Sequence, residues 1–351
     1  MSYITKPRVG YSGRKKNKLG LAMRDYEGGM STLCAGCGHD SITAALIQAF
    51  FELNIPPEKV AKLSGIGCSS KTPAYFLNAS HGINAVHGRM PALATGANAA
   101  NRDLYYIGVS GDGDSLSIGL GQFGHAIRRN LNMLYIIENN GVYGLTKGQF
   151  SASADTGSKA KTGEINAQPP IDPVLMALSL GGSFVARSFS GDKQQLVPLI
   201  KAGLMHQGFA LLDVISPCVT FNDHDGSTKS YVYTREHFHE TIHTDFVLET
   251  EEIRVNYGEG EVVSVELHDG SRILLRKVAP DYEPKNRGNA ISYIQHRQEK
   301  GEIVTGLLYL DEQAGDLHAI SNTIDQPLNE LSYDKLCPGA DVLEEIFEAY
   351  R

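Results

Sequence analysis

Residues 104–140 read LYYIGVSGDGDSLSIGLGQFGHAIRRNLNMLYIIENN, and their order decides the fold. Leu104 to Val109 is an apolar run of strand length that ends at Gly111-Asp112-Gly113. A helix is expected from about Ser117 to Arg129, then a strand from Met133 to Ile137 that ends at Asn139-Asn140. Strand, helix and strand in this order build a parallel sheet. An acidic residue and an amide, each just past a strand, are oxygen donors suited to a magnesium ion that carries a diphosphate. The glycines around Asp112 let the backbone turn sharply and approach such a group. Gly-Asp-Gly alone reads as a tight turn, and Asn-Asn-Gly alone as a loop. The strand-anchored pair, 25 residues apart, favours function.

The same alternation runs from about residue 30 to 220 and predicts a mainly parallel sheet covered on both faces. Asp40 or Ser41 is the expected cap of a helix whose apolar positions Ile42, Ala45, Leu46, Ala49, Phe50 and Leu53 recur at helical spacing. Val60 to Ser64 is a strand running into Gly65-Ile66-Gly67-Cys68, and Arg89 to Asn101 is a helix. Ser183 to Arg187 and Phe209 to Ile215 are further strands, separated by a helix from Lys193 to His206. Ser151 to Gln168, before Pro169-Pro170, is a long polar loop of the kind that is usually functional or mobile.

Ligands of an open parallel sheet bind at the carboxyl ends of its strands. Segments 64–71, 110–115, 138–149 and 216–222 each follow an expected strand, so parallel strands bring all four to one edge. That edge collects cysteines: Cys68, Cys218, and the C-x-x-C-G pair Cys34 and Cys37. A lone C-x-x-C fits zinc, a redox dithiol or nothing. Two further cysteines past strands point to a metal, and thiolates in sets of four hold iron–sulfur clusters. Zinc ribbons usually bring a second tight pair, absent here. Cys337, near Pro338, reads as a bystander.

Composition narrows the class. The chain has 351 residues, enough for one large α/β domain and a smaller appendage. Its net charge of −8 argues against a nucleic-acid partner. The basic stretch Lys6 to Lys18 reads as an arm on a partner or in solvent. No apolar run has the length to span a bilayer, and the start lacks the apolar core of a signal peptide. Five cysteines in such a chain favour metal or reactive thiols over disulfides and point to a reducing cytoplasm.

From about Ser227 the texture changes. His237, His239 and His243 fall in a polar segment expected to be helical, and Glu252 to Val278 reads as a β-ribbon turning at Asp269-Gly270. Asn289 to Lys300 is an expected helix, Ile303 to Leu310 a strand and Ala340 to Tyr350 a closing helix. The expected organisation is an arm over 1–29, a core over 30–226, and an α+β extension over 227–351 that clasps a partner.

These pieces resemble the β subunit of the 2-oxoacid:ferredoxin oxidoreductases, the subunit that binds thiamine diphosphate. The resemblance rests on Leu33 to Gly38, Gly65-Ile-Gly-Cys-Ser69, His87-Gly-Arg89, Gly111-Asp-Gly-Asp114 and Asn139-Asn-Gly-Val-Tyr-Gly-Leu-Thr-Lys-Gly-Gln149, and covers about residues 30–225. It implies the thiamine diphosphate-binding fold, with [4Fe–4S] ligands at Cys34, Cys37, Cys68 and Cys218. Magnesium falls to Asp112, Asn140 and the Val142 carbonyl; cofactor contacts fall to Ile66, Gly67, Cys68, Ser69, His87, Gly113, Asp114, Gly144 and Leu145. Within the family the chain looks most like 2-oxoglutarate enzymes, notably in Phe221 to Lys229. Lys71 lies near the substrate end of the cofactor in that family, where a lysine could pair with the distal carboxylate of 2-oxoglutarate; Leu145 borders the same space. Lys71 as a plain surface lysine is the competing reading.

The implied reaction oxidises a 2-oxoacid with coenzyme A to acyl-CoA and carbon dioxide, in either direction, and passes single electrons to ferredoxin. Thiamine enzymes need a glutamate from a pyrimidine-binding domain, and no second α/β domain is legible. An α (or fused γα) subunit is therefore expected to bring that domain and the coenzyme A site, in an (αβ)2 assembly. Three alternatives stand beside this: a pyruvate or broad 2-oxoacid enzyme, a thiamine-dependent decarboxylase or carboligase component with structural zinc, and a nonenzymatic electron-transfer subunit.

Overall fold

The computed structural model describes residues 15–241, 262–266, 272–276, 282–337 and 339–351. Its strands are β1 (Val60–Ser64), β2 (His81–Asn84), β3 (Tyr105–Gly111), β4 (Met133–Asn139), β5 (Val142–Tyr143) and β6 (Gln149–Phe150). They continue as β7 (Phe184–Phe189), β8 (Phe209–Ile215), β9 (Phe238–Glu240), β10 (Val262–Glu266), β11 (Arg272–Arg276) and β12 (Ile303–Leu310). The helices that cover them are α1 (Gly38–Leu53), α2 (Met90–Ala100), α3 (Leu120–Arg128), α4 (Pro173–Ser179), α5 (Lys193–Met205), α6 (Tyr231–His237) and α7 (Arg287–Gln298).

Eight strands form one sheet in the order β2-β1-β3-β4-β8-β7-β12-β9. From β2 to β7 every neighbouring pair is parallel, and β12 runs antiparallel to β7. The four strands that precede the expected ligand segments, β1, β3, β4 and β8, stand side by side. Their carboxyl ends therefore make one continuous edge.

Alternation along β4 shows why the sheet is covered twice. Met133, Tyr135 and Ile137 pack with α2, α3, α4 and α7, while Leu134 and Ile136 pack with α1 and α5. Side chains of period two feed both faces, so these strands are mainly apolar on both. Burying one such side chain contributes about 1.5–3 kcal/mol, which makes these faces the main source of stability.

Several expectations need correction. The first helix begins at Gly38, with Cys37 as its N-cap, because the Cys37 amide turns back onto the Cys34 carbonyl at 3.0 Å. Asp40 lies inside the first turn instead, where its charge suits the helix dipole. Ser117 belongs to a π-helical turn, Gly113–Ile118, and the α-helix proper starts at Leu120. His239 sits in β9 rather than in a helix. α4 went unread, although Asp172 caps it by accepting from the Val174 and Leu175 amides at 2.8 and 3.2 Å. The segment expected to be a separate extension adds β9 and β12 to the main sheet. Tyr282, Ala290, Tyr293, Ile294 and Leu308 from that segment lie in the same core cluster as Tyr135. β10 and β11 pair antiparallel as the expected ribbon; the turn at Asp269-Gly270, His243 and most of the basic arm lie outside the described residues.

Candidate cofactor and thiol site

Asp112 and Asp114 leave β3 two residues apart and are both buried. Asp114 is a hub. Its Oδ1 accepts the Gly88 amide at 2.8 Å and the Ile66 amide at 3.2 Å, and its Oδ2 accepts the Ser110 hydroxyl at 2.5 Å. This draws the Gly65–Gly67 turn and the His87 loop onto the end of β3. A side chain at residue 65 would collide with the Asp114 carboxylate, which is why glycine stands there. His87 Nδ1 approaches Asp114 Oδ1 to 2.5 Å without hydrogen-bond geometry, and its ring lies edge-on to Tyr143.

Asp112 is held differently. Its Oδ2 accepts the Gly141 amide at 3.0 Å and the hydroxyls of Ser151 and Ser153, the latter at 2.7 Å. Among the described residues no hydrogen-bond donor reaches Oδ1. Asn140 follows β4 on the adjoining strand end; its Oδ1 accepts the Val142 amide at 3.1 Å and keeps a second lone pair. The Asn140 carbonyl accepts from Asn222 at 2.7 Å, so the Phe221–Lys229 segment clamps this turn. Lys229 pairs with Asp155 at 3.0 Å and packs against Gly141. A carboxylate with one oxygen locked and the other open, beside an amide oxygen and a backbone turn, fits a magnesium ion that completes its shell with phosphate and water.

Cys34, Cys37, Cys68 and Cys218 line one cavity of about 80 Å³, together with Lys71, His39, Asn140 and Gly144. A water needs about 10–15 Å³, so this space admits a multi-atom group. All four thiols are free. Burial pushes the Cys37 thiol up to about 12 and raises Cys68 and Cys218, and the Lys71 charge opposes the rise only at Cys68. Burial thus favours the thiol form at Cys37, Cys68 and Cys218, and positive charge bound among them would favour the thiolate ligand form. Among the described residues no three His, Cys, Asp or Glu side chains converge tightly enough for a single metal ion. Four thiols around one cavity are a donor set that could hold a metal cluster. A Cβ at Gly144 would lie 3.4 Å from Cys68 Sγ and 3.8 Å from Cys218 Sγ, so this glycine keeps the backbone against the thiols.

The remaining expected residues are placed as follows. Ser69 is buried, Ile66 is exposed, and Leu145 stands exposed just beyond β5. Gly113 packs under the Tyr143 ring, whose hydroxyl donates to the Gly113 carbonyl at 3.2 Å. Cys337 is exposed and takes no part in the cavity. Sequence reasoning missed Glu138 and His39 behind the thiols. Thr72 reaches both Glu138 carboxyl oxygens at 3.0 and 3.1 Å, and His39 Nδ1 lies 3.3 Å from Glu138 and 2.7 Å from Ser216. Burial pushes the Glu138 carboxyl well above the carboxylate range and the His39 ring down to about 4, so burial favours the neutral form of each. Glu138 was signalled only as a polar residue near the end of an otherwise apolar strand, and His39, in the first turn of α1, carried no such signal.

Comparison with known proteins agrees with this geometry. Residues 65–214 match the family described as thiamine pyrophosphate enzyme, C-terminal TPP binding domain. The chain is 38% identical over 274 residues to the 2-oxoacid:ferredoxin oxidoreductase subunit beta of Sulfolobus sp, covering 76% of this chain and 89% of that one. It is 40% identical over 191 residues to the 2-oxoglutarate oxidoreductase subunit KorB of Mycobacterium tuberculosis, covering 54% and 51%. Among solved structures it is similar to a 2-oxoglutarate:ferredoxin oxidoreductase from Magnetococcus marinus with 2-oxoglutarate, coenzyme A and succinyl-CoA bound. That match has a TM-score of 0.72 and 30% identity and covers 93% of this chain and 97% of that chain. No helix among the described residues is long and apolar enough to cross a membrane.

Proposed function

Because the chain belongs to the β subunits of the 2-oxoacid:ferredoxin oxidoreductases, we propose that it serves 2-oxoglutarate oxidation to succinyl-CoA and carbon dioxide, in either direction, with electrons leaving through a [4Fe–4S] cluster. One observation carries this reading: the thiol cavity shares Asn140 and Gly144 with the turn that faces Asp112. A redox centre and a diphosphate-binding metal would there be neighbours, as single-electron transfer from an organic cofactor requires.

In this reading Cys34, Cys37, Cys68 and Cys218 hold the cluster, and Asp112, Asn140 and the Val142 carbonyl hold magnesium. When bound, thiamine diphosphate supplies the carbanion chemistry and the electron sink. This chain's part is orientation: Asp114 fixes the turns at Ile66 and His87, and Asn222 fixes the turn at Asn140. An α or fused γα subunit supplies the pyrimidine-binding domain and the coenzyme A site, in an (αβ)2 assembly that reduces ferredoxin. The preference for 2-oxoglutarate is supported by the likeness to the Magnetococcus and Mycobacterium proteins; the name of the Sulfolobus relative favours a broader 2-oxoacid range as the second reading.

The test is an optical and EPR spectrum of the anaerobically purified assembly, with iron, sulfide and thiamine analysis, for the parent and for single Cys→Ala variants. Loss of cluster iron is expected at Cys34, Cys37, Cys68 and Cys218, with Cys337→Ala unchanged. A colourless protein that contains zinc would overturn the cluster and favour a decarboxylase or carboligase component.

A further inference from the structure

We infer that Ser153 is a positioning residue for the cation site, which rests on the reading of Asp112 as a magnesium ligand. The torsion that turns a carboxylate about its Cβ–Cγ bond is broad, so neighbours must decide which oxygen faces a cation. Three donors converge on Asp112 Oδ2, and Ser153 is the one that connects this oxygen to the rest of the core.

Ser153 Oγ lies 2.7 Å from Asp112 Oδ2 and 2.8 Å from Asn139 Oδ1. Asn139 in turn donates from Nδ2 to Asp213 Oδ1 at 3.0 Å, which sets its amide orientation and turns Oδ1 to Ser153. Asp213 Oδ2 accepts Arg187 Nε at 2.7 Å, and Arg187 Nη2 reaches Asp172 Oδ1 at 2.6 Å. Gln298, at the end of α7, donates to the other Asp172 oxygen. A continuous polar array thus runs from α7 across β7, β8 and β4 to the open carboxylate. Ser153, Asn139, Asp213 and Arg187 are all buried, so the bonds from Arg187 to Asp112 are made away from competing water, while the outer end at Gln298 is exposed.

Ser153 carries one proton for two acceptors. The charged Asp112 oxygen is the stronger acceptor, so the hydroxyl is directed at it while the Asn139 oxygen closes the contact from behind. Removal of the hydroxyl leaves Oδ2 with two donors on one side and frees the carboxylate to turn. Outer partners of metal ligands typically alter metal affinity by about 10- to 100-fold when removed.

The experiment titrates Mn2+ by EPR into the assembled enzyme, stripped of divalent cations, with thiamine diphosphate present. Ser153→Ala is expected to weaken Mn2+ binding by about 10- to 100-fold, with cluster absorption unchanged. Ser153→Thr keeps the hydroxyl and should restore binding; Ser153→Val, nearly the same shape as Thr, should not. Equal binding in the Thr and Val variants would overturn the inference, because shape rather than the hydroxyl would then matter. This pair gives the answer even where the Ala variant does not assemble. Asp112→Ala separates the two levels of the argument. Parent-like Mn2+ binding in Asp112→Ala sinks the ligand reading itself, whereas its loss beside parent-like Ser153→Val sinks only the role of Ser153.

Discussion

Asp112 and Asp114 leave the same strand two residues apart, yet protein donors engage both oxygens of Asp114 and only Oδ2 of Asp112. The first carboxylate in sequence therefore keeps an oxygen that a cation could use, whereas both oxygens of the second are engaged in holding the fold. Asp114→Ala would strand the Ile66 and Gly88 amides and the Ser110 hydroxyl. Each orphaned donor costs about 1–3 kcal/mol, so a total on the order of 3–5 kcal/mol is expected. Asp112→Ala strands the Gly141 amide and the Ser151 and Ser153 hydroxyls and should cost the metal-free fold a comparable amount, but it should also abolish magnesium-dependent binding of thiamine diphosphate. Thermal unfolding of the metal-free assembly and calorimetry with Mg2+ and cofactor separate the two. An Asp114→Ala protein of parent stability that cannot bind cofactor would move Asp114 from the fold to the ligand set.

The parallel core was legible because its strands, buried on both faces, are mainly apolar and punctuated by glycine turns. β1 and β8 begin and end where their residues predict. Four strand ends on one edge followed from the alternation alone, and this is what brought Asp112, Asn140, Cys68 and Cys218 together. What was not legible depends on partners distant in sequence. β9 has three residues, and its place is set by β12, more than 60 residues later. The polar loop after residue 150 read as functional or mobile. It could not be seen from sequence that Ser151 and Ser153 turn back onto Asp112 while Asp155 meets Lys229. The Phe221–Lys229 segment read as a mark of substrate preference, and in the fold it clamps the turn at Asn140. Preference and clamp are compatible, since a segment that fixes the cofactor turn borders the reaction space.

Burial holds His206 down to about 4 from an ordinary 6.5, while its Nε2 lies 2.8 Å from Ser183 Oγ. The unfolded chain takes up the proton near 6.5 and the folded chain only near 4, so the unfolded state binds more protons between these values. The stabilising effect of the neutral ring is complete above about 6.5 and is lost as pH falls towards 4. Allowing for partial solvent screening, the loss from pH 7 to pH 5 should be on the order of 1–2 kcal/mol. His206→Gln keeps a polar partner for Ser183 and should flatten this part of the stability profile. His39 titrates in the same window, so the difference between parent and variant is the informative quantity. Identical profiles for the two would show that His206 titrates normally in the folded state.

Lys71 lies on the wall of the thiol cavity, three residues past Cys68, and its charge acts on the Cys68 thiol. Two roles compete for it: pairing with the distal carboxylate of the substrate, and electrostatic support of the cluster. A charge-assisted contact to substrate contributes about 1.5–3 kcal/mol, or roughly ten- to a hundredfold in kcat/KM. Lys71→Ala is therefore expected to lower kcat/KM for 2-oxoglutarate by that factor while pyruvate, which lacks the distal carboxylate, changes little. The cluster's reduction potential distinguishes the alternative, because loss of a nearby positive charge stabilises the oxidised cluster and lowers the potential. A lowered potential with equal losses on both substrates would assign Lys71 to the cluster and leave substrate choice to the partner subunit. Selective loss at an unchanged potential would assign it to the substrate.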